Sequence, residues 1–579
     1  MRVLMISSAW LVRGLGLLLT LFSLNTALAD VPVIAEASSA KRISLKLQLQ
    51  WDHQAQFAGF YIAQSRKYFA EEGLDVEIIP GGPGINPITE LQEGRADIAV
   101  TWLSNAWQHS KPEKSVTNIA QIFVNSSLLI LCRSSAGIYS PKDVIGKKVG
   151  VWNFGDELVV EEWMRRFHVP RAKVELIEQR PGGIDLIEGK VACATAMDYN
   201  EYWKIINAGV PPSDLIVISD KKSVPHIEDG LYVMTERLES ESFRHALTHF
   251  LRATRQGWDL ASFSPTLAIE TLSRFKPDIN REQQHYMLEN VLSDIHYHKA
   301  SFGLLDLKEY ESAINKTLKN GSVNTEPANL WTHHIWNRLQ YDDDVKPPIT
   351  AATKYYVSKA FNSNFFNLFF SIGVLTFALS GVLEGIRRGY DLWGRLMLAF
   401  VSGLGGGVLR DLLIGGDRYP FAFVRDITLP IGIFIIVLIS IIVTIFKRDL
   451  QNSQTFKQVK LCVDIIGFAV LATAGAMIAI EANLHWLWAP ICAALSCAGG
   501  GMLRDIVVNN EPATFKGVFY EEIAVVGAMV FIFGLMVFAN QHEHSALPVY
   551  LSIGASLCVI IMLRVLIARY NIKYPKILM

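Results

Sequence analysis

The sequence predicts an α/β domain of two lobes followed by an all-α membrane domain of seven transmembrane helices, arranged as a three-plus-three inverted repeat with one extra helix. Three observations carry that expectation. Residues 30 to about 350 have the composition of soluble protein, whereas 365–567 carry repeated long apolar runs. In the first part short β-rich runs alternate with helical stretches, which implies mostly parallel sheets. In the second part the sequence superposes on itself at a shift of 94 residues. A chain of 579 residues makes about three units of roughly 100 to 200 residues, one of them two-lobed and counted twice. The net charge of -1, with no long Lys/Arg stripe, speaks against a nucleic-acid partner.

Arg2 and Arg13 precede an apolar stretch at 15–24, and Ala27-Leu28-Ala29 supplies the small residues a signal peptidase needs. Residues 1–29 are therefore expected to be a signal peptide cleaved before Asp30, and 30–320 an exported domain. Only Cys132 and Cys193 lie in that part. They are too few for a disulfide framework and leave room for one bridge.

Strict alternation over 43–49 predicts a strand with one buried face, and a helix is expected over 57–70. A short strand follows at 76–79, and Asn86 before Pro87 starts a helix. Further strands are expected at 97–102, 128–132, 148–151, 174–177 and 192–197. Open sheets of this kind bind ligands beyond the carboxyl ends of their strands. At those ends stand Trp51, Gln54, Gln56, Phe57 and Tyr61, then Gly82 in a Gly-Gly-Pro loop, Trp102, the pair Trp152 and Glu157, and the run Tyr199, Asn200 and Glu201. Aromatic faces beside amides and carboxylates suit a flat, nitrogen-containing ring. For any single aromatic residue, filling the core beneath a loop is the competing account.

The segments Gln48-Leu49-Gln50-Trp51, 54–61, 68–76, the loop at 81–83 and Glu93-Gly94-Arg95-Ala96-Asp97 resemble the thiamine-pyrimidine and riboflavin precursor-binding family of periplasmic substrate-binding proteins over about 43–320. The resemblance implies two α/β lobes closing over a small pyrimidine-like or flavin-like ligand, with Asn200-Glu201 at the ligand edge. The same superfamily contains thiamine pyrimidine synthases that consume one of their own histidines and bind iron through a Cys-rich segment. Here that stretch, 189–195, holds Cys193 alone, and one Cys with His53 makes a poor iron or pyridoxal-phosphate site. No cofactor and no metal site is expected, and no enzyme activity.

Residues 321–364 lack a sustained period and read as a tether, with the Trp331 and Trp336 segment open between a helix on the exported domain and one on the membrane surface. The membrane domain is expected over 365–570, with spans near 366–386, 393–414, 427–446, 461–481, 486–508, 522–540 and 547–567. Arg387, Arg388 and Arg395, then Lys447, Arg448, Lys457 and Lys460, then Lys516, and finally Arg569, Lys573 and Lys576 all fall on one side. The second connection, with Arg418 and Arg425 beside Asp417 and Asp426, is mixed. The positive-inside bias therefore puts the C-terminus in the cytoplasm and the first domain outside, in a multi-pass protein of the cell inner membrane.

The 94-residue shift brings Gly405, Gly406, Gly407, Arg410 and Asp411 onto Gly499, Gly500, Gly501, Arg504 and Asp505. Repeats of three spans, 366–446 and 461–540, must run in opposite directions, and such pairs place a pathway near the midplane. The glycine triplets are expected to kink their spans beside that pathway. Tight helix packing is the competing account. The expected ion pairs cross the pseudo-twofold, Arg410 with Asp505 and Arg504 with Asp411. Repeat symmetry breaks at Asp464 and Glu384, whose carboxylates could bias selectivity.

The doubled Gly-Gly-Gly-x-Leu-Arg-Asp motif resembles the bacterial glycine-transporter family, related to trimeric intracellular cation channels, over about 366–567. That resemblance implies a homotrimer in membrane lipid, with a permeating cation or small amino acid. The chain carries no Walker-type nucleotide motif. The combined expectation is a transport protein whose exported domain captures a heterocyclic ligand and feeds or gates the membrane pathway. A ligand-gated cation channel is the second reading, and a synthase the third.

Overall fold

A computed structural model describes residues 42–152, 155–219, 226–295, 302–318, 330–340, 348–415, 427–446, 454–482, 484–512, 515, 519, 521–570 and 572. The expected signal peptide lies outside these residues. So do Lys447, Arg448, Lys516, Lys573, Lys576 and the whole group from Asp417 to Asp426.

Ten strands build two five-stranded sheets. The first holds β1 (Ile43–Gln48), β2 (Leu74–Ile79), β3 (Ile98–Thr101), β4 (Val116–Gln121) and β10 (Gly230–Met234), in the order β2-β1-β3-β10-β4. The second holds β5 (Leu128–Arg133), β6 (Lys148–Val151), β7 (Glu175–Glu178), β8 (Cys193–Met197) and β9 (Leu215–Ser219), in the order β7-β6-β8-β5-β9. The expectation of mostly parallel sheets needs correction. β1 and β3 are parallel, as β6 is to β7 and β8, but β10 runs antiparallel to β3 and β4, and β5 to β8 and β9. The cause is topological: the chain passes from lobe 1 to lobe 2 after β4 and returns before β10, and each passage delivers a strand against the grain of its sheet.

The two passages form the hinge. Its buried acids accept from nearby groups: Glu228 Oε1 accepts from Ser126 Oγ at 2.7 Å and from the Ser127 and Leu128 amides, while its Oε2 is buried without a partner, and Asp294 accepts from Ser127 Oγ. One bridge does form, between Cys132 and Cys193, which sit opposite each other on β5 and β8. The stretch expected as one helix over 57–70 is divided into Ala58–Ser65 and Tyr68–Glu71 by Lys67, whose φ of 64° is left-handed. Asn86 caps the Pro87–Gln92 helix through the Ile88 amide.

The stretch read as a tether is structured where it is described. Trp331 pairs with Asn118 of the edge strand β4, and the His334–Gln340 helix packs on the long Glu241–Phe263 helix. The Trp336 indole N–H donates to the Phe302 carbonyl at 2.9 Å. This segment belongs to lobe 1, because its aromatic rings bury there.

Helices of the C-terminal domain are numbered α1 (Ala351–Phe361), α2 (Asn364–Arg387), α3 (Leu392–Ile414), α4 (Thr428–Phe446), α5 (Gln454–Glu481), α6 (Trp488–Val507), α7 (Glu521–Val537) and α8 (Leu547–Tyr570). Among the described residues five helices are long and apolar enough to cross a membrane: α2, α3, the 458–481 part of α5, α7 with its extension to Gln541, and α8. α4 is apolar over a shorter described length, Thr428–Ile442. The domain is a multi-pass membrane bundle, with α2, α3, α5 and α6 packed together at its centre.

Candidate functional site

Two places gather the chemistry: a cleft between the lobes, and a helix crossing in the bundle.

The cleft encloses about 40 Å³ and is lined from lobe 1 by Gln50, Trp51, Gln54, Gln56 and Trp102, and from lobe 2 by Trp152, Met197, Tyr199, Asn200 and Glu201. Trp102 follows β3, Trp152 follows β6 and Tyr199 follows β8, so each stands at a strand's carboxyl end. The indoles of Trp102 and Trp152 meet edge to face, with centroids 6.3 Å apart. A buried relay orients the lobe 1 wall. Gln54 Nε2 donates to Gln56 Oε1, Gln56 Nε2 to Asp229 Oδ2 at 2.7 Å, and the Trp102 indole to Asp229 Oδ1 at 3.1 Å. Burial pushes the Asp229 carboxyl up to about 7.

On the opposite wall Asn200 Nδ2 donates to Glu201 Oε1 at 2.7 Å, and the Met197 amide donates to Glu201 Oε2 at 3.1 Å. Gln283 Nε2 holds Asn200 Oδ1 at 2.8 Å. Burial raises the Glu201 carboxyl above its ordinary range. Gln50 Oε1 is buried without a hydrogen-bond partner, in the cavity wall. A buried acceptor left unpaired costs about 1–3 kcal/mol. A donor in the cleft would recover that cost.

Four residues expected at the ligand do not line this cavity. Phe57 and Tyr61 are fully buried in the core beneath it, with Tyr61 OH 3.0 Å from His53 Nδ1. Gly82 lies in the loop after β2, where its φ of 146° requires glycine. Glu157 joins the lobes: its Oε1 accepts from Gln108 of lobe 1 at 2.5 Å, beside Gly155, whose missing Cβ lets Ser104 approach. Sequence reasoning missed Gln50 and Met197 as lining residues and Asp229 as the relay's centre. Gln50 neighbours Trp51 at a strand end, a signal that could have found it. Asp229 lies far along the chain and carries no motif.

In the bundle, α3 and α6 cross at their glycines. A Cβ on Gly406 would lie 2.4 Å from the Ser496 carbonyl oxygen, and one on Gly500 2.3 Å from that of Ser402. Gly405 faces Leu503 and Gly499 faces Leu409. Each glycine thus meets the position equivalent to its counterpart's neighbour in the other repeat. Both helices run unbroken through their triplets. Missing side chains there let two backbones touch. Gly407 lines a cavity of about 30 Å³ with Arg410, Asp411 and Ser496, whereas Gly501 has no heavy atom within 4 Å of where its Cβ would be.

The expected cross-repeat ion pairs also need correction. Arg410 pairs with its own neighbour Asp411 at 2.7 Å, and Arg504 with Asp505 at 2.9 Å. It is the serines that cross: Arg410 Nη1 donates to Ser496 Oγ at 3.2 Å, and Arg504 Nη1 to Ser380 Oγ at 3.3 Å. Adjacent residues already satisfy each charge where a longer reach would leave buried donors open. Asp464 pairs with Arg564 of α8 at 2.7 Å, and Glu384 with Arg387, Arg388 and Lys460.

The family profile described as NMT1/THI5 like matches residues 54–268, and the one described as Glycine transporter matches 367–448 and 461–536. A UPF0126 membrane protein of Deinococcus radiodurans is 36% identical over 159 residues, 27% of this chain and 70% of that protein. A formylaminopyrimidine-binding protein of Halalkalibacterium halodurans is 21% identical over 292 residues, 47% of this chain and 84% of that protein. A solved TRIC cation channel aligns at 27% identity and a TM-score of 0.31, over 36% of this chain and 96% of that one. Through its C-terminal domain the chain belongs to the UPF0126 membrane protein family, here fused behind an NMT1/THI5-like substrate-binding domain.

Proposed function

We propose that this membrane transport protein uses its N-terminal domain, on the outer face of the inner membrane, to capture a small nitrogen heterocycle of the aminopyrimidine type. The observation that carries this reading is the cleft itself. Three tryptophans flank a small cavity whose polar groups include an unpaired amide oxygen, on Gln50, and a buried carboxyl held by an amide, Glu201 with Asn200. A carboxyl whose proton affinity is raised by burial can share a proton with a ring nitrogen while accepting from an exocyclic amine. The Gln50 oxygen offers a second acceptor. Indole faces and edges supply the apolar contact a flat ring needs.

The formylaminopyrimidine-binding relative supports a pyrimidine over a flavin. A binding role is favoured over catalysis because the Cys193 sulfur is committed to Cys132. In the membrane domain we read seven spans, α2 to α8, as two inverted triplets and one further span, with the shorter helix α1 outside them and a cation or small amino acid moving beside Arg410, Asp411 and Ser496 in a homotrimer. The test is thermal unfolding of the full chain in detergent with 4-amino-5-hydroxymethyl-2-methylpyrimidine, formylaminopyrimidine, thiamine, riboflavin and glycine. A ligand at 100 times its Kd adds about 2.7 kcal/mol. Stabilisation by an aminopyrimidine supports the reading, and stabilisation by glycine alone refutes it.

A further inference from the structure

The N-terminal domain touches the membrane bundle in two ways, one through lobe 1 and one through a segment packed against both lobes. Lobe 1 is tied to the connection between α7 and α8. Thr332, in the segment paired with β4, donates through Oγ1 to Glu543 Oε2 at 2.7 Å, and the His333 amide donates to the same oxygen at 3.2 Å. The Trp331 ring meets the His544 ring edge to face at 4.5 Å. Asn540, in the same connection, fixes the start of α1: its Oδ1 accepts from the Thr350 amide at 3.1 Å and from Thr353 Oγ1 at 2.8 Å, and its Nδ2 donates to the Pro348 carbonyl.

Lobe 2 reaches α1 by another route. Past Gly303, which pairs with Gln121 at the hinge, the chain forms the Leu307–Ala313 helix and the Ile314–Leu318 turn. That turn packs against the Asp156–Arg166 helix of lobe 2, and its apolar cluster joins Leu158 of lobe 2 and Leu103, Trp107 and Trp331 of lobe 1 to Leu307, Ile314 and Ala352. From the same segment Glu311 holds Lys359 near the end of α1, at 2.6 Å. Helix α1 is therefore pinned at its start to lobe 1 and the bundle, and tied near its end to a segment packed between the two lobes. Ser363, two residues past α1, caps α2 through the Phe366 amide.

A chamber of about 1600 Å³ separates these parts. Its walls include the hinge residues Ser126 and Asp294, the connecting segment at Asp306 and Glu311, and α1 at Lys354 and Lys359. None of the residues lining the ligand cleft lines this chamber. The hinge face of the domain is turned to the bundle, and there is free volume for the segment and α1 to move.

We infer that α1 is a lever: closure of the lobes over a ligand acts through the 305–314 segment and the Glu311–Lys359 pair on the end of α1, and so on α2, while the ligand itself stays outside the bundle. This rests on the ligand-binding reading above and gives its membrane consequence as gating instead of delivery. The interaction surface is internal to the chain, and the tie that transmits force is an exposed ion pair that can be cut without touching the cleft or the bundle core.

The experiment uses the full chain in liposomes, with 4-amino-5-hydroxymethyl-2-methylpyrimidine as probe. Probe binding is read from tryptophan fluorescence, and potassium flux from a trapped dye. The lever requires that probe change wild-type flux, that Lys359→Gln lose most of that change with affinity kept within twofold, and that the charge swap Glu311→Lys with Lys359→Glu restore it. A Lys359→Gln chain that responds like wild type overturns the inference, as does one that loses probe binding. Probe binding with no change in wild-type flux overturns the lever and leaves the ligand reading standing. No probe binding at all removes both.

Discussion

Arg410 of the first repeat donates to Ser496 Oγ of the second at 3.2 Å while its charge is met by Asp411, the next residue along its own helix. Both charged side chains are nearly inaccessible, at 4% and 7% exposure. Removing one therefore strands the other. Arg410→Gln is expected to destabilise the bundle by about 3–5 kcal/mol, with Ser496→Ala costing about 1 kcal/mol. Unfolding followed in detergent checks both, and equal effects would mean that Asp411 finds another partner.

The glycine triplets separate by position. Gly406→Ala and Gly500→Ala drive a methyl into a facing carbonyl and are expected to cost about 1–3 kcal/mol. Gly501→Ala meets open space inside a helix and is expected to gain up to about 1 kcal/mol. Melting temperatures of the three variants, measured side by side, decide between packing glycines and hinge glycines, since a hinge would tolerate all three poorly in flux and well in stability.

At the cleft, Glu201→Gln keeps the shape and the Asn200 contact but removes the proton-sharing carboxyl. Affinity for an aminopyrimidine is expected to fall about 10- to 100-fold, from the roughly 1.5–3 kcal/mol of a charged hydrogen bond. Glu157→Ala removes the Gln108 contact between the lobes, outside the cavity. It is expected to weaken the same ligand less and mainly through faster dissociation, which stopped-flow fluorescence reads.

Two buried groups near Trp102 pull stability in opposite directions with pH. Asp229 is raised to about 7, so between its unfolded value near 4 and pH 7 the folded chain holds a proton the unfolded chain has lost, and stability falls as pH rises. His226 is lowered to about 3 by burial, so its contribution is present above about 6.5 and is lost as pH falls towards 3. From about pH 4 to 6.5 the two oppose. Asp229→Asn removes the falling part, and its stability is expected to rise more steeply over that window than that of the wild type, by up to about 1.4 kcal/mol per pH unit. Parallel profiles in thermal melts would show that Asp229 is ionised throughout.

Several parts of this molecule are local in origin and could be read from the chain. The strands from β1 to β3 and from β5 to β8 follow from short-range alternation and turn residues. The Asn86 cap is set by its own side chain, and the placing of Trp51, Trp102, Trp152 and Asn200-Glu201 at strand ends follows from the β/α order. The paired Gly-Gly-Gly-x-Leu-Arg-Asp motifs mark the two helices that cross in the bundle. β4 was not legible because its inward amides, Asn118 and Gln121, break the apolar pattern while satisfying each other at 3.0 Å, and β9 and β10, runs of five residues each, were not expected either. Burial of polar groups through mutual hydrogen bonds leaves no mark in hydropathy.

By itself the sequence determined the division into a two-lobed binding domain and a membrane bundle, the strand ends that wall the cleft, and the glycines at the crossing. Tertiary structure alone decided which residues meet there. It chose Asp411 over Asp505 for Arg410, because a neighbour's carboxylate needs no reach across a crowded crossing. It also brought Asp229 from beyond the second lobe to hold Gln56 and Trp102, and it tied α1 to the α7–α8 connection through Asn540 and to the Leu307–Ala313 helix through Glu311. Those are contacts between segments far apart in the chain. Chain closure and packing set them, whereas short-range periodicity reports only which face of each element is apolar.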